Sequence, residues 1–149
     1  MSILKNLTLM LMLFFVASCT SSDEKKTKEV VIPKKITFLF ITQPHCPACD
    51  HLEESMNLPR PKQLLANYFD VKKVYYGEKL PDGIMPPRGT PTVHFLGAND
   101  ETLLEPMVGQ KEEDELMEYL QDALLEFKNT YHVDLQQKNN EQTTHATTL

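Results

Sequence analysis

The chain has 149 residues, enough for one domain of ordinary size and too few for two. Asp and Glu (21) outnumber Lys and Arg (15), giving a net charge of −6, and no basic cluster is present, which argues against nucleic acid as the main partner. Three cysteines cannot build a disulfide-rich scaffold. The sequence also lacks a glycine-rich phosphate loop and a long zinc-ligand pattern.

Lys5 precedes an apolar run from Leu7 to Ala17 that only Thr8 interrupts. This reads as the basic and hydrophobic regions of an export signal, and it is short for a membrane span, which needs about 20 apolar residues. The run ends in Val16-Ala17-Ser18-Cys19, which resembles a bacterial lipobox. That resemblance implies removal of residues 1–18, lipid attachment at Cys19, and a domain anchored to a membrane in the bacterial cell envelope, facing the periplasm. Whether the membrane is inner or outer stays open. Disulfides form and exchange in that compartment. Residues 19–34, polar and mixed in charge at first, read as a lipid-anchored linker.

A short strand is expected over Glu29–Ile32. Ile36–Thr42 (ITFLFIT) is β-branched, aromatic and almost wholly apolar, as suits a central strand covered on both faces. Gln43-Pro44-His45 ends it. A helix is expected from Cys46-Pro47, with proline at its first position, as far as Leu58-Pro59, placing Leu52 and Met56 on one face. A second short helix is expected over Pro61–Asn67, with Leu64 and Leu65 inward. Phe69–Tyr76 reads as a strand, in which Tyr75 and Tyr76 are packing residues. Gly77–Gly89, with Pro81, Pro86 and Pro87, reads as a loop. Thr92–Leu96 is a strand, Gly97–Asp100 a turn, and Thr102–Val108 its hairpin partner, confined to a sheet edge by Pro106. Leu116, Tyr119, Leu120, Ala123, Leu124 and Phe127 form one apolar helical stripe. Glu112–Glu115 at its start and Lys128 near its end match the helix dipole. The folded domain is placed at residues 35–130, and residues 131–149 are read as a polar tail.

Cys46-Pro47-Ala48-Cys49 is the main chemical signal. Two cysteines separated by two residues at a helix start can close a short disulfide. The first sulfur then meets unpaired backbone N–H groups and the positive end of the helix dipole, which favour thiolate over thiol. A helix terminus supplies up to about 2 kcal/mol to such a charge. Other readings of the motif are weaker. Half of a zinc site would need a second cysteine pair. His45, Cys46, Cys49 and His51 are too close in sequence to close a tetrahedral site easily, so no metal is assigned. Covalent haem attachment needs a histidine where Asp50 stands. A purely structural disulfide is the remaining alternative. His94 reads as a strand residue, and His132 and His145 lie in or near the tail.

The second signal is Gly89-Thr90-Pro91-Thr92, which opens a strand and places Pro91 45 residues beyond Cys46. With the CxxC turn after ITFLFIT, the GTPTVHFL segment and the terminal helix, it resembles the thioredoxin superfamily over about Ile36–Lys128, and within it the periplasmic SoxW-like group. The resemblance implies an α/β, thioredoxin-like fold: a central mixed sheet flanked by helices, with CxxC at a strand-to-helix turn. It also implies a cis Thr90–Pro91 loop that contacts substrate, Cys46 as the attacking cysteine and Cys49 as the resolving one, flanked by His45, Pro47 and Ala48. The implied activity is thiol–disulfide exchange with disulfide-containing envelope proteins. The redox-active Cys46–Cys49 pair needs no separate cofactor; the expected direction is reduction of protein disulfides, with a membrane electron donor returning the pair to its dithiol form. The buried acid usual in the strand before the motif is replaced here by Phe40, and no Trp precedes Cys46. Two alternatives stay open: a disulfide donor, and a lipid-anchored thioredoxin-fold protein that binds metal or docks a partner.

Overall fold

The computed structural model describes residues 30–137. The export signal, the lipobox with Cys19, most of the linker and the end of the tail with His145 lie outside the described residues. Among the described residues, no helix is long and apolar enough to cross a membrane.

The elements run β1 (Ile36–Thr42), α1 (Pro47–Asn57), α2 (Pro59–Tyr68), β2 (Phe69–Tyr75), β3 (Thr92–Leu96), a 3-10 turn (Ala98–Asp100), β4 (Met107–Val108) and α3 (Glu113–Tyr131). They form one mixed sheet in the order β2-β1-β3-β4. β1 pairs in parallel with β2, and the two helices between them make the long crossover that parallel pairing requires. β3 runs antiparallel to β1, and β4 antiparallel to β3. This is the thioredoxin-like α/β arrangement, with β1 central and every one of its residues but Thr37 buried.

Side chains alternate across a strand. Ile36, Phe38 and Phe40 of β1, with Val93 and Phe95 of β3, join the main core, which also holds Leu52, Leu65, Leu116, Leu120 and Phe127 from the three helices. Phe38, Phe69 and Phe95 meet edge to face at 5.4–6.4 Å between centroids. Such pairs add about 0.5–1.5 kcal/mol each beyond area burial. Leu39, Ile41, Thr92, His94 and Leu96 occupy the alternate positions and are also buried. The loop between β2 and β3 reaches this second face: Tyr76, Leu80, Ile84, Pro86 and Pro87 line a space of about 420 Å³ together with Ile41.

Proline sets both helix starts. Pro47 and Pro59 lie in the first turns of α1 and α2, and Leu58 between the helices is extended, as a residue before proline prefers. The Glu112 N–H donates to Glu115 Oε2 at 3.3 Å at the start of α3. His132, with φ 55°, ends that helix in the left-handed region.

Three expectations change. Val30–Ile32 forms no strand, and Val31 is 77% exposed. The hairpin partner of β3 is only Met107–Val108 plus a single bridge between Leu96 and Thr102. Pro106 has no N–H to give to a ladder, and two more residues separate Thr102 from Met107 than separate their partners Leu96 and Val93, so the pairing is interrupted between them. Packing also continues past Thr130: Leu135 is buried in the core, and Tyr131 and Val133 lie against it.

Candidate active site

β1 ends at Thr42 and the chain turns through Gln43, Pro44 and His45. His45 takes φ 56°, a left-handed conformation uncommon outside glycine, and its side chain is exposed. Cys46 is then the N-cap of α1. Its carbonyl accepts from the N–H groups of Cys49 (2.9 Å) and Asp50 (3.0 Å), and its Sγ accepts the Cys49 N–H at 3.2 Å. The cap sulfur thus does what a serine or aspartate oxygen does at other helix starts. Cys46 and Cys49 are joined in a disulfide. Cys46 is 6% exposed and Cys49 only 1%, so Cys46 is the sulfur nearer solvent. Pro47 brings no N–H, and Ala48 is half-buried with no polar atom in its side chain.

The loop before β3 faces this turn. The Thr90–Pro91 peptide is cis. Thr90 Oγ1 lies 3.6 Å from Cys46 Sγ; a disulfide sulfur carries no hydrogen, so the hydroxyl donates. The loop is fixed from both sides. Thr92 Oγ1 donates to the Gly89 carbonyl at 2.8 Å, and the Gly109 N–H donates to the Pro91 carbonyl at 2.8 Å. Cys46, Cys49, Thr90 and Pro91 therefore meet although 41 residues separate Cys49 from Thr90 in the chain.

Two other described histidines lie on α1 and in the sheet. His51 Nε2 pairs with Glu112 Oε1 at 2.9 Å, tying α1 to the start of α3. Among the described residues, no group of three or more His, Cys, Asp or Glu side chains is arranged to hold a metal ion. His94 is 7% exposed on β3, and its enclosed Nε2 has no hydrogen-bond partner among the described residues. Burial pushes its pKa below 6.5, so the ring is neutral at pH 7.

Two features escape a reading of the sequence. Phe40 is paired in register with Lys73 of β2, whose Nζ lies 5.8 Å from the Phe40 ring centroid and bonds to Glu53 of α1. That hydrogen bond is the main cause holding Lys73 above its ordinary pKa. An acid four residues after Cys49, on the same helix face, was the available signal. The second feature is a cavity of about 500 Å³ between residues 83–89 and the β3–β4 edge. No local pattern announces it, because its walls are 25 residues apart in sequence at their extremes.

The sheet order, the CxxC turn after the central strand and the cis-proline loop opposite it define a thioredoxin-like fold with a redox-capable cysteine pair. No family model and no curated protein matches the sequence. Among solved structures, the periplasmic thioredoxin SoxS from Paracoccus pantotrophus (reduced form) is similar with 22% identity and a TM-score of 0.47, covering 60% of this chain and 99% of that one. A thioredoxin from Thermus thermophilus is 20% identical with a TM-score of 0.46, covering 58% and 72%. A disulphide isomerase from Xylella fastidiosa Temecula1 is 19% identical with a TM-score of 0.37, covering 66% and 79%.

Proposed function

We propose that this protein is a thiol–disulfide oxidoreductase of the bacterial cell envelope that reduces protein disulfides. The observation that carries the reading is the Cys46–Cys49 disulfide at the N-terminus of α1, facing Thr90 and Pro91. In the reduced protein the Cys46 thiolate attacks one sulfur of a substrate disulfide. A Cys46–substrate bond forms, the substrate S–S bond breaks, and the departing thiolate takes a proton. Cys49, once deprotonated, attacks Cys46 Sγ, which releases the second substrate thiolate and leaves the Cys46–Cys49 disulfide. Two electrons have passed to the substrate. A dithiol donor at the membrane restores the pair.

The donors around Cys46 support the reducing direction. The Cys49 N–H and the Thr90 hydroxyl reach its sulfur, while Pro47 and Ala48 add none. This is modest thiolate stabilisation, and a strong disulfide donor draws its oxidising power from a heavily stabilised reduced form. Anchoring through Cys19 would hold the domain at the membrane where its electron donor resides.

The test is turbidimetric reduction of insulin by the full chain with dithiothreitol as donor. The wild type accelerates precipitation. Cys46→Ser reduces the rate to the background of dithiothreitol alone, and Cys49→Ser accumulates a mixed disulfide on Cys46. Wild-type activity equal to that of Cys46→Ser would overturn the reading. Mass spectrometry of protein recovered from bacterial membranes tests the anchor: a lipid-modified Cys19 at the N-terminus supports it, and an intact or unmodified N-terminus overturns it.

A further inference from the structure

The sheet ends in two unlike edges. β4 spans two residues beside Pro106 and offers little backbone for pairing. β2 spans seven residues, holds neither Pro nor Gly, and among the described residues pairs only with β1. Successive residues of a strand turn their N–H and C=O groups to opposite edges. The Tyr76 N–H donates to the Thr42 carbonyl at 2.8 Å, so Asp70, Lys72 and Val74 turn theirs to β1, and Phe69, Val71, Lys73 and Tyr75 turn theirs outward. The ends of that outward row are closed. The Phe69 N–H donates to the Leu65 carbonyl. The Tyr75 N–H donates to Glu78 Oε2 at 3.0 Å, and the Tyr75 carbonyl accepts the Glu78 N–H at 3.0 Å. The middle is open: the Phe69 carbonyl and both backbone groups of Val71 and Lys73 meet no partner among the described residues. Lysines usually guard such an edge. Here the Lys73 ammonium is drawn to Glu53 of α1, beside the Phe40 ring, which leaves Val71, 43% exposed, at the centre.

A second copy of this chain matches that row. In an antiparallel pair about a two-fold axis, outward residues exchange backbone hydrogen bonds, and the residues between them stand side by side. Of the centres from Asp70 to Lys73, three fail. Centring on Lys73 sets Val71 against the partner's Tyr75, whose backbone is already taken by Glu78. Centring on Lys72 puts two lysines face to face, and centring on Asp70 two aspartates, which is unfavourable. Centring on Val71 has neither fault. The two Val71 residues exchange N–H···O=C bonds, each Lys73 N–H reaches the partner's Phe69 carbonyl, and each Asp70 stands opposite the partner's Lys72. Both charged side chains are more than half exposed, so their pairing selects the register and adds little affinity. The apolar contact lies on the other face. Val71 borders an open cleft of about 280 Å³ whose larger apolar members are Met56, Leu65 and Phe69 and whose polar ones are Asn57 and Lys62. Opposed side chains lie about 5 Å apart, so the partner's Val71 arrives at the mouth of this cleft, and symmetry repeats the contact.

We propose that β2 is a self-association edge: two copies pair antiparallel through it, centred on Val71, and join their four-stranded sheets into one. The Tyr75 end of β2 lies beside the end of β1 that leads to Cys46. The pairing therefore sends the two Cys46 turns to opposite ends of the joined sheet and covers neither. It goes beyond the oxidoreductase reading and does not depend on it.

The experiment follows the full chain in detergent by sedimentation velocity, with amide exchange of Val71 and Lys73 measured alongside. The expected result is a monomer–dimer equilibrium within about 0.01–1 mM, with both amides exchanging more slowly as concentration rises. Val71→Lys puts two lysines on the axis and raises the dissociation constant by at least about tenfold. Asp70→Lys and Lys72→Asp each create like-charge pairs and raise it by about three- to tenfold, and the variant carrying both substitutions returns to within about twofold of wild type. Circular dichroism and the melting temperature of each variant separate loss of pairing from loss of the fold. A wild-type chain that stays monomeric across this range would overturn the proposal, and slow exchange of Val71 in that monomer would assign the edge to a segment of the same chain. A dimer that Val71→Lys leaves intact would overturn β2 as the interface. A double variant as weak as the single ones would overturn the register.

Discussion

The direction of electron flow can be read from protein stability. Cys46 and Cys49 are three residues apart, and closing so short a loop restricts the unfolded chain by about 1.5–2 kcal/mol. This favours the oxidised fold. Opposing it, the helix N-terminus and its Cys49 N–H stabilise a Cys46 thiolate in the reduced fold by up to about 2 kcal/mol, more at partly buried ends than at exposed ones. Thr90 contributes one further donor and Pro47 none. At pH 7 the oxidised form should therefore lie between about 0.5 kcal/mol less stable and about 2 kcal/mol more stable than the reduced form. Through the thermodynamic cycle, 1.4 kcal/mol corresponds to about 30 mV for a two-electron couple. The folded couple then lies between about 10 mV above and about 40 mV below that of the same dithiol in the unfolded chain. Urea unfolding of the oxidised and reduced full chain gives the first quantity. Equilibration with glutathione, in buffer and in urea, gives the second. A reduced form more stable by over about 1.4 kcal/mol would refute the reasoning and turn the protein into a disulfide donor.

Other variants probe single contacts. In reduced protein, Thr90→Val removes the hydroxyl beside Cys46 Sγ and should slow alkylation of Cys46 by iodoacetamide at pH 7 by about three- to tenfold; an unchanged rate would show that the hydroxyl does not reach the thiolate. A Cβ at Gly97 would sit 2.9 Å from Tyr131 Cε2 and 3.0 Å from its Cζ. Tyr131 is held by the Ala98 N–H at 2.9 Å, by Glu101 at 3.1 Å and by the Phe127 ring. Gly97→Ala should therefore cost about 1–3 kcal/mol, read as a lower melting temperature, and a wild-type melt would refute the contact. Burial lowers the pKa of His94 in the fold, so the unfolded chain takes up the proton first as pH falls through about 6.5. The stability contributed by neutral His94 is fully present above that pH and is lost as pH falls toward the folded pKa. Urea midpoints between about pH 5 and 7.5 should show this slope in the wild type and lose it in His94→Gln.

The central features were legible because each has a local signature. ITFLFIT suits a strand covered on both sides, the proline after Cys46 marks a helix start, and the 3,4-spaced stripe from Leu116 to Phe127 marks the long helix. Thr90 and Pro91 were found through family resemblance, since nothing between Cys49 and Thr90 reports their proximity. The errors occur where tertiary packing overrides local composition. Leu135 stands among polar residues and reads as tail, yet the core accepts it. Thr102–Val108 has strand composition, but Pro106 and the interrupted pairing before it leave only two ladder residues. His94 read as a strand residue, which it is; that its Nε2 is enclosed without a hydrogen-bond partner among the described residues depends on tertiary packing that no periodicity encodes.

The burial of Cys49 beneath Cys46 has a kinetic consequence. With 1% of its surface exposed, the second sulfur meets no outside reagent before the first does. Donor and acceptor must therefore use the same atom in turn and cannot be bound together. Turnover should follow a ping-pong scheme, with parallel lines in double-reciprocal plots, and an excess of either partner should inhibit by occupying the form of the enzyme meant for the other.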